Sequence, residues 1–228
     1  MQEHVTIPRR RKRIAATVLV LVGLVAAIGV GAFASFNAQT SNTGNLFADG
    51  TLVLSNSVNG GTACLSTAGG TTDVNANDKC DTMFDLTVKK PGDSSSATLA
   101  LKNDGSIDMS KLNVYSTACT DADAVTEAYH GTGNPCGKIA LTIQAFADAD
   151  YKTPTACVWG GADCAFDPSL TLSAFQSKFN TAATGLDVGK LAAGQTAYLK
   201  VSVQLPADAD NTFQGRQSTI DFNWYSEQ

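Results

Sequence analysis

The sequence predicts an all-β fold: a jelly-roll-like antiparallel β-sandwich with a short helix and disulfide-stapled loops. Three observations predict it. Apolar residues alternate with polar ones at period two in several short runs, such as Leu199, Val201, Val203 and Leu205 in "TAYLKVSVQL". Gly, Asn, Asp and Ser punctuate the chain densely between those runs. Six cysteines fall into three local pairs. Strands with one wet and one buried face, joined by turn-rich connections, suit a two-layer antiparallel fold. The length of 228 residues, 43% of them hydrophobic, suffices for a core and argues against wholesale disorder.

Residues 1–34 read as a secretory signal. The basic run Arg9, Arg10, Arg11, Lys12 and Arg13 precedes an uncharged stretch, Ile14–Ala34. Ala32-Phe33-Ala34 gives a small-x-small cleavage site, and Phe36-Asn37-Ala38 gives a second. A signal peptidase is therefore an expected partner during export. The stretch is also long enough to span a bilayer, so an uncleaved anchor is the alternative. In either case contact with the membrane is expected only through residues 14–34. Setting aside the five basic and one acidic side chains of this segment leaves 11 basic and 20 acidic groups, a net charge of -9. Such an acidic body is a poor nucleic-acid partner, because phosphate binding needs a basic patch.

Residues 35–45 follow, small, polar and uncharged: Ser35, Phe36, Asn37, Ala38, Gln39 and Thr40 lead into "SNTGN". The segment is too polar for a core, yet carries no charge. Two readings fit it: an extended strand that pairs through its backbone, with Phe36 and Ala38 on one face, or a tether.

Residues 46–228 read as one sandwich domain. Phe84, Leu86 and Val88 alternate, "PGD" at 91–93 turns the chain, and Ala97, Leu99 and Leu101 alternate again. "NDG" at 103–105 is a hairpin-type turn signal. Ile139, Leu141 and Ile143 form a further strand, within a long Cys-rich insertion at 115–165. In "DPSLTLSAFQSKF", Asp167 caps and Pro168 starts a short helix with Leu172, Phe175 and Phe179 on its inner face. Ile220, Phe222 and Trp224 alternate in a last strand.

The cysteines Cys64, Cys80, Cys119, Cys136, Cys157 and Cys164 all lie in the exported part. An even count there reads as disulfides, and the spacings propose the pairs 64–80, 119–136 and 157–164. A metal cluster competes poorly, since no C-x2-C pair exists.

The residues do not compose an enzyme. The exported body holds one histidine, His130, in the Gly-rich stretch "EAYHGTGNPC". Neither an HExxH helix nor a nucleophile elbow accompanies it. Acidic pairs recur at Asp121/Asp123, Asp148/Asp150 and Asp208/Asp210. Alternate carboxylates can ligate calcium, but no pair continues into a D-x-D-x-D-G loop, and solvated turn residues are the reading adopted. Trp224 sits at a core-facing position. Trp159, inside "CVWGGADC", is a candidate exposed ring for a sugar platform. No cofactor is expected.

Three stretches resemble the TasA/camelysin family of secreted biofilm-matrix fibre proteins: "NLFADGTLVLS" at 45–55, "VKKPGDSSSATLALKNDGSIDMSKLNV" at 88–114 and "ADADNTFQGRQSTIDFNWYSEQ" at 207–228. The centre, about 115–185, does not match, and its cysteines depart from the family. The resemblance implies a jelly roll exported through a dedicated signal peptidase to the extracellular matrix or cell surface. It implies head-to-tail homopolymers, in which the N-terminal segment of one subunit completes the sheet of the next by donor-strand exchange. It also raises a camelysin-like metallopeptidase as an alternative, for which no ligand set is visible here. A membrane-anchored surface binding module is the third class.

Overall fold

The structure, a computed structural model, describes residues 50–69, 75–84 and 90–228. The signal, residues 35–45, Leu86 and Val88 lie outside the described residues. Period-two alternation does what it predicts in the centre of the chain. In β3 (Ser94–Asn103) Ala97, Leu99 and Leu101 are buried, and in β9 (Thr196–Gln204) so are Leu199, Val201 and Val203. The register places Leu99 opposite Leu199 and Ala97 opposite Val201. β6 (Ala140–Phe146) adds Leu141 opposite Val203 and Ile143 opposite Val201. These rows form one apolar face. Each fully buried aliphatic side chain contributes about 1.5–3 kcal/mol by leaving water.

The flanks are β1 (Leu54–Val58) and β2 (Cys64–Leu65) on one side and β7 (Pro154–Trp159) on the other. The sheet is antiparallel throughout, in the order β2-β1-β3-β9-β6-β7. A three-stranded antiparallel sheet supplies the second layer, in the order β11-β4-β8: β11 (Asn223–Glu227), β4 (Lys111–Tyr115) and β8 (Leu186–Gly189). Leu112 and Val114 of β4 join the rows of the larger sheet in a single core, together with Leu54, Met109 and Leu191. The fold is therefore all-β and sandwich-like.

The helix forms later than the sequence suggests. It is α1 (Leu172–Lys178), and its N-cap is Thr171, whose hydroxyl accepts from the Ala174 amide at 3.2 Å. Asp167 instead closes the preceding turn by accepting from the Ser169 amide at 2.8 Å. The inner face is as predicted: Leu172, Phe175 and Phe179 are buried. Phe175 meets Trp159 edge-on at 5.6 Å between centroids and also packs against Phe179 and Phe222.

Three further expectations are corrected. "NDG" does not make a hairpin, because Asn103 is fully buried. Its amide donates to the carbonyls of Ile107 (2.8 Å) and Leu191 (3.1 Å) and its Oδ1 accepts from Gly105 N (3.0 Å), so residues 104–110 cross between the sheets. The span 115–165 is not an insertion as a whole, since it contains β6, which pairs with β9 inside the larger sheet. The final alternating run is two strands, β10 (Arg216–Ile220) and β11, not one.

That break has a counterpart. β5 (Cys119–Asp123) pairs with β10 just as β4 pairs with β11. Tyr115 faces Asn223 and Cys119 faces Ile220, so residues 116–118 oppose residues 221–222. One extra residue on one strand is a bulge. Residues 111–123 and 216–227 are thus a single antiparallel ribbon with a bulge in its middle. Its root, at Lys111 and Glu227, belongs to the sandwich, and its tip, beyond Asp123 and Arg216, carries a loop.

Candidate functional site

The disulfides join Cys64 to Cys80, Cys119 to Cys136 and Cys157 to Cys164, the local pairs that the spacings propose. No free thiol remains among the described residues. Each bridge ties a turn to a strand. Three disulfides belong to the chemistry of an oxidising compartment. No helix among the described residues is long and apolar enough to cross a membrane.

The candidate catalytic and metal-binding side chains do not converge. His130 is exposed, and its Nδ1 lies 2.8 Å from the Gly215 carbonyl oxygen. The acidic pairs are spent on local structure. Asp121 accepts from the Cys136 amide at 2.9 Å, and Asp123 is ion-paired with Arg216. Asp148 accepts from the Asp150 amide at 3.0 Å, while Asp208 is held by Lys138 at 3.0 Å. Asp210 caps a 3-10 turn, and the Thr212 hydroxyl, with the Thr212 amide, holds its carboxyl below the ordinary value. The described residues hold no group of three or more metal-ligating side chains. Trp159 is not an exposed ring: it is buried beside Phe175 and Phe179, with the Lys178 ammonium 5.6 Å from its centroid. The burial has a sequence cause, since β7 places Trp159 opposite Ile143, a core position.

The other conspicuous geometry is at the sheet edges. Six strands on one layer face three on the other, and the smaller layer ends at β11 on one side and at β8 on the other. Among the described residues β11 pairs only with β4, so its outer backbone groups have no strand partner. Phe222 and Trp224 are half-buried against the core from this side. The side-chain nitrogen Nδ2 of Asn223 is buried without a partner among the described residues, as is the side-chain oxygen of Asn56 in β1. The only charged side chain of β11 is Glu227, at the root, 3.5 Å from Lys111.

The sequence reading missed this edge. An edge is a property of pairing, and β11 and β4 are paired across more than a hundred residues of chain. The nearest signal is compositional: "NWYSE" carries one charge where an edge guarded against association usually carries several. No family model matches the chain, and no curated protein matches it.

Proposed function

We propose that the chain is a secreted, non-enzymatic structural subunit that polymerises head to tail into extracellular or cell-surface fibres, residues 35–45 of one copy adding as a strand to the β11 edge of the next. The observation that carries this reading is the uneven sandwich: a six-stranded sheet faced by a three-stranded one, of whose two edge strands, β11 and β8, the first has half-buried aromatic side chains beside it and no strand partner but β4 among the described residues. A strand laid there gains main-chain hydrogen bonds, with alternate side chains available for pockets. The donor candidate suits it. Ser35–Thr40 has no charge to desolvate, and Phe36 offers an anchor beside half-buried Phe222 and Trp224. A contact between two different surfaces of the same chain does not close on itself, so it propagates as a filament. The resemblance to the TasA/camelysin family, with its jelly-roll winding, leads to the same reading.

The test is electron microscopy of the natively purified chain beginning at Ser35, compared with one lacking residues 35–45. Filaments from the first and monomers from the second are the expected result. Filaments from both, or from neither, would overturn the assignment.

A further inference from the structure

The ribbon tip is a surface that strand donation does not use. Val125 is 93% exposed and Tyr129 57%, whereas Leu65 and Tyr225, the other exposed large hydrophobic side chains among the described residues, are at 37%. The loop bearing them is held at many points. Its base hydrogen-bonds from Ala124 N to Gly215 O at 2.9 Å. Farther along, Gly131 N donates to Gln214 O at 2.8 Å and Gly133 N to Thr212 O at 2.7 Å. Arg216 Nε donates to Gly133 O at 3.2 Å, and Cys119–Cys136 closes the loop from behind. A Cβ at Gly131 would overlap the backbone of Thr212, and one at Gly215 that of Tyr129, so both glycines are required for this close approach. Two large apolar side chains are thus displayed in water on a preordered frame, an arrangement that lowers the entropy lost on association.

The geometry points to what they meet. Every strand pairing among the described residues is antiparallel. β11 runs from the tip side of the ribbon toward its root, from Asn223 to Glu227. A donor strand antiparallel to β11 therefore runs from root to tip, and its last residue, 45, leaves at the tip side. Only residues 46–49 then separate it from Gly50, where the described part of the arriving copy begins, a span of at most about 17 Å. The ribbon continues past Asn223 through Phe222 to Arg216, about 20 Å of strand. The arriving body consequently lies alongside the ribbon and presents the end at which its own chain enters. That end is built from Thr51 and Val53, hydrogen-bonded to Ser106 and Asp104, and carries half-buried Leu52 and Ile107.

We infer that Val125 and Tyr129 dock on residues 50–53 and 104–110 of a second copy of this chain, locking each subunit against the body of the one whose strand it receives. This inference rests on the head-to-tail reading above. Its test replaces Tyr129 with the photo-crosslinker benzoylphenylalanine in the chain beginning at Ser35 and maps the crosslinked peptides by mass spectrometry. Crosslinks from filaments to residues 50–53 or 104–110 of another copy are expected. The companion double variant, V125S with Y129S, is expected to raise the critical concentration for assembly about tenfold or more while its monomer keeps the native circular dichroism spectrum and three disulfides. Filaments that form with an unchanged critical concentration and crosslink elsewhere would overturn the docking inference and leave strand donation standing. Failure of the unsubstituted chain to assemble would overturn both.

Discussion

The sandwich and the ribbon tip are held together by different physics. In the sandwich, the alternation of β3, β6 and β9 removes a continuous apolar face from water, and Leu99, Leu101, Leu141, Ile143, Leu199 and Val201 are fully buried. In the ribbon, β5 and β10 have no buried residue. A two-stranded ribbon is marginal in water by itself. It is held instead by the Cys119–Cys136 bridge, the Arg216–Asp123 pair and backbone bonds that only glycine permits. Burial makes one region cooperative, whereas covalent and local contacts make the other rigid without making it large. A mutation should therefore act globally in the first and locally in the second.

The largest effect is expected at Phe175. It is fully buried, and its ring contacts Trp159, Phe179 and Phe222. Phe175→Ala removes all three contacts and leaves a cavity, at a cost of about 3–5 kcal/mol. Chemical denaturation followed by tryptophan fluorescence should show one transition shifted as a whole. A shift below about 1 kcal/mol would mean that the aromatic cluster is not part of the cooperative core.

The paired substitution Cys119→Ser with Cys136→Ser is next. The bridge spans 17 residues, for which the chain-entropy account gives about 3 kcal/mol. Here the loss should be confined to one region. Amide exchange should rise about a hundredfold in 120–133 and 211–218 while β3, β6 and β9 keep their protection. Equal losses in both regions would erase the distinction drawn above.

Glycine sharpens the comparison at smaller amplitude. Gly215 has φ +65° and a Cβ there would overlap the Tyr129 carbonyl, whereas Gly194, at φ +78°, has open space around its Cβ position. Gly194→Ala should cost about 1 kcal/mol, from backbone strain alone. Gly215→Ala should cost about 2–3 kcal/mol, felt in the loop that bears Tyr129, because strain and overlap combine. Exchange rates at His130 and Gly131 would separate the two variants. Equal effects would show that the close approach is not what fixes the tip.

The same contrast explains which parts were legible in the sequence. Alternation marked β3, β6 and β9 because each strand carries its own burial pattern. The cysteine pairs were legible because each closes a short loop. Asn103 misled because a turn-forming residue was buried and its side chain serves carbonyls of Ile107 and Leu191 instead of a hairpin. Trp159 misled because a disulfide loop suggested exposure, while the register with β6 turned the ring inward. The ribbon was illegible because its two halves lie about a hundred residues apart, and the alternation of Ile220, Phe222 and Trp224 marks a strand without naming its partner. The edge of β11, without a strand partner other than β4 among the described residues, follows from that pairing and was hidden with it.

The smallest effect tests electrostatics at the rim of the sandwich, where neither burial nor a covalent tie decides. Asp104 follows β3 and accepts hydrogen bonds from Lys102 and from Ser55, whose hydroxyl is itself buried. The Lys102 hydrogen bond first, then that from Ser55, holds its carboxyl below the ordinary 3.8. A carboxyl whose folded pKa is depressed adds stability when ionised. That contribution is complete above the ordinary value and is lost as pH falls through the lower, folded one. Lys102 is about half exposed, so screening keeps the contribution well under about 1 kcal/mol. Asp104→Asn should therefore lower Tm slightly near neutral pH, and the gap to the unsubstituted protein should close as the pH falls below the ordinary 3.8 and through the lower, folded value. Ser55→Ala should move the midpoint of that closure upward, toward 3.8, because one of the two bonds stabilising the ionised form is gone. A gap that stays constant from neutral to acid pH would mean that Asp104 acts through the shape of its turn, and that the rim, like the ribbon tip, is set by local backbone geometry rather than by charge.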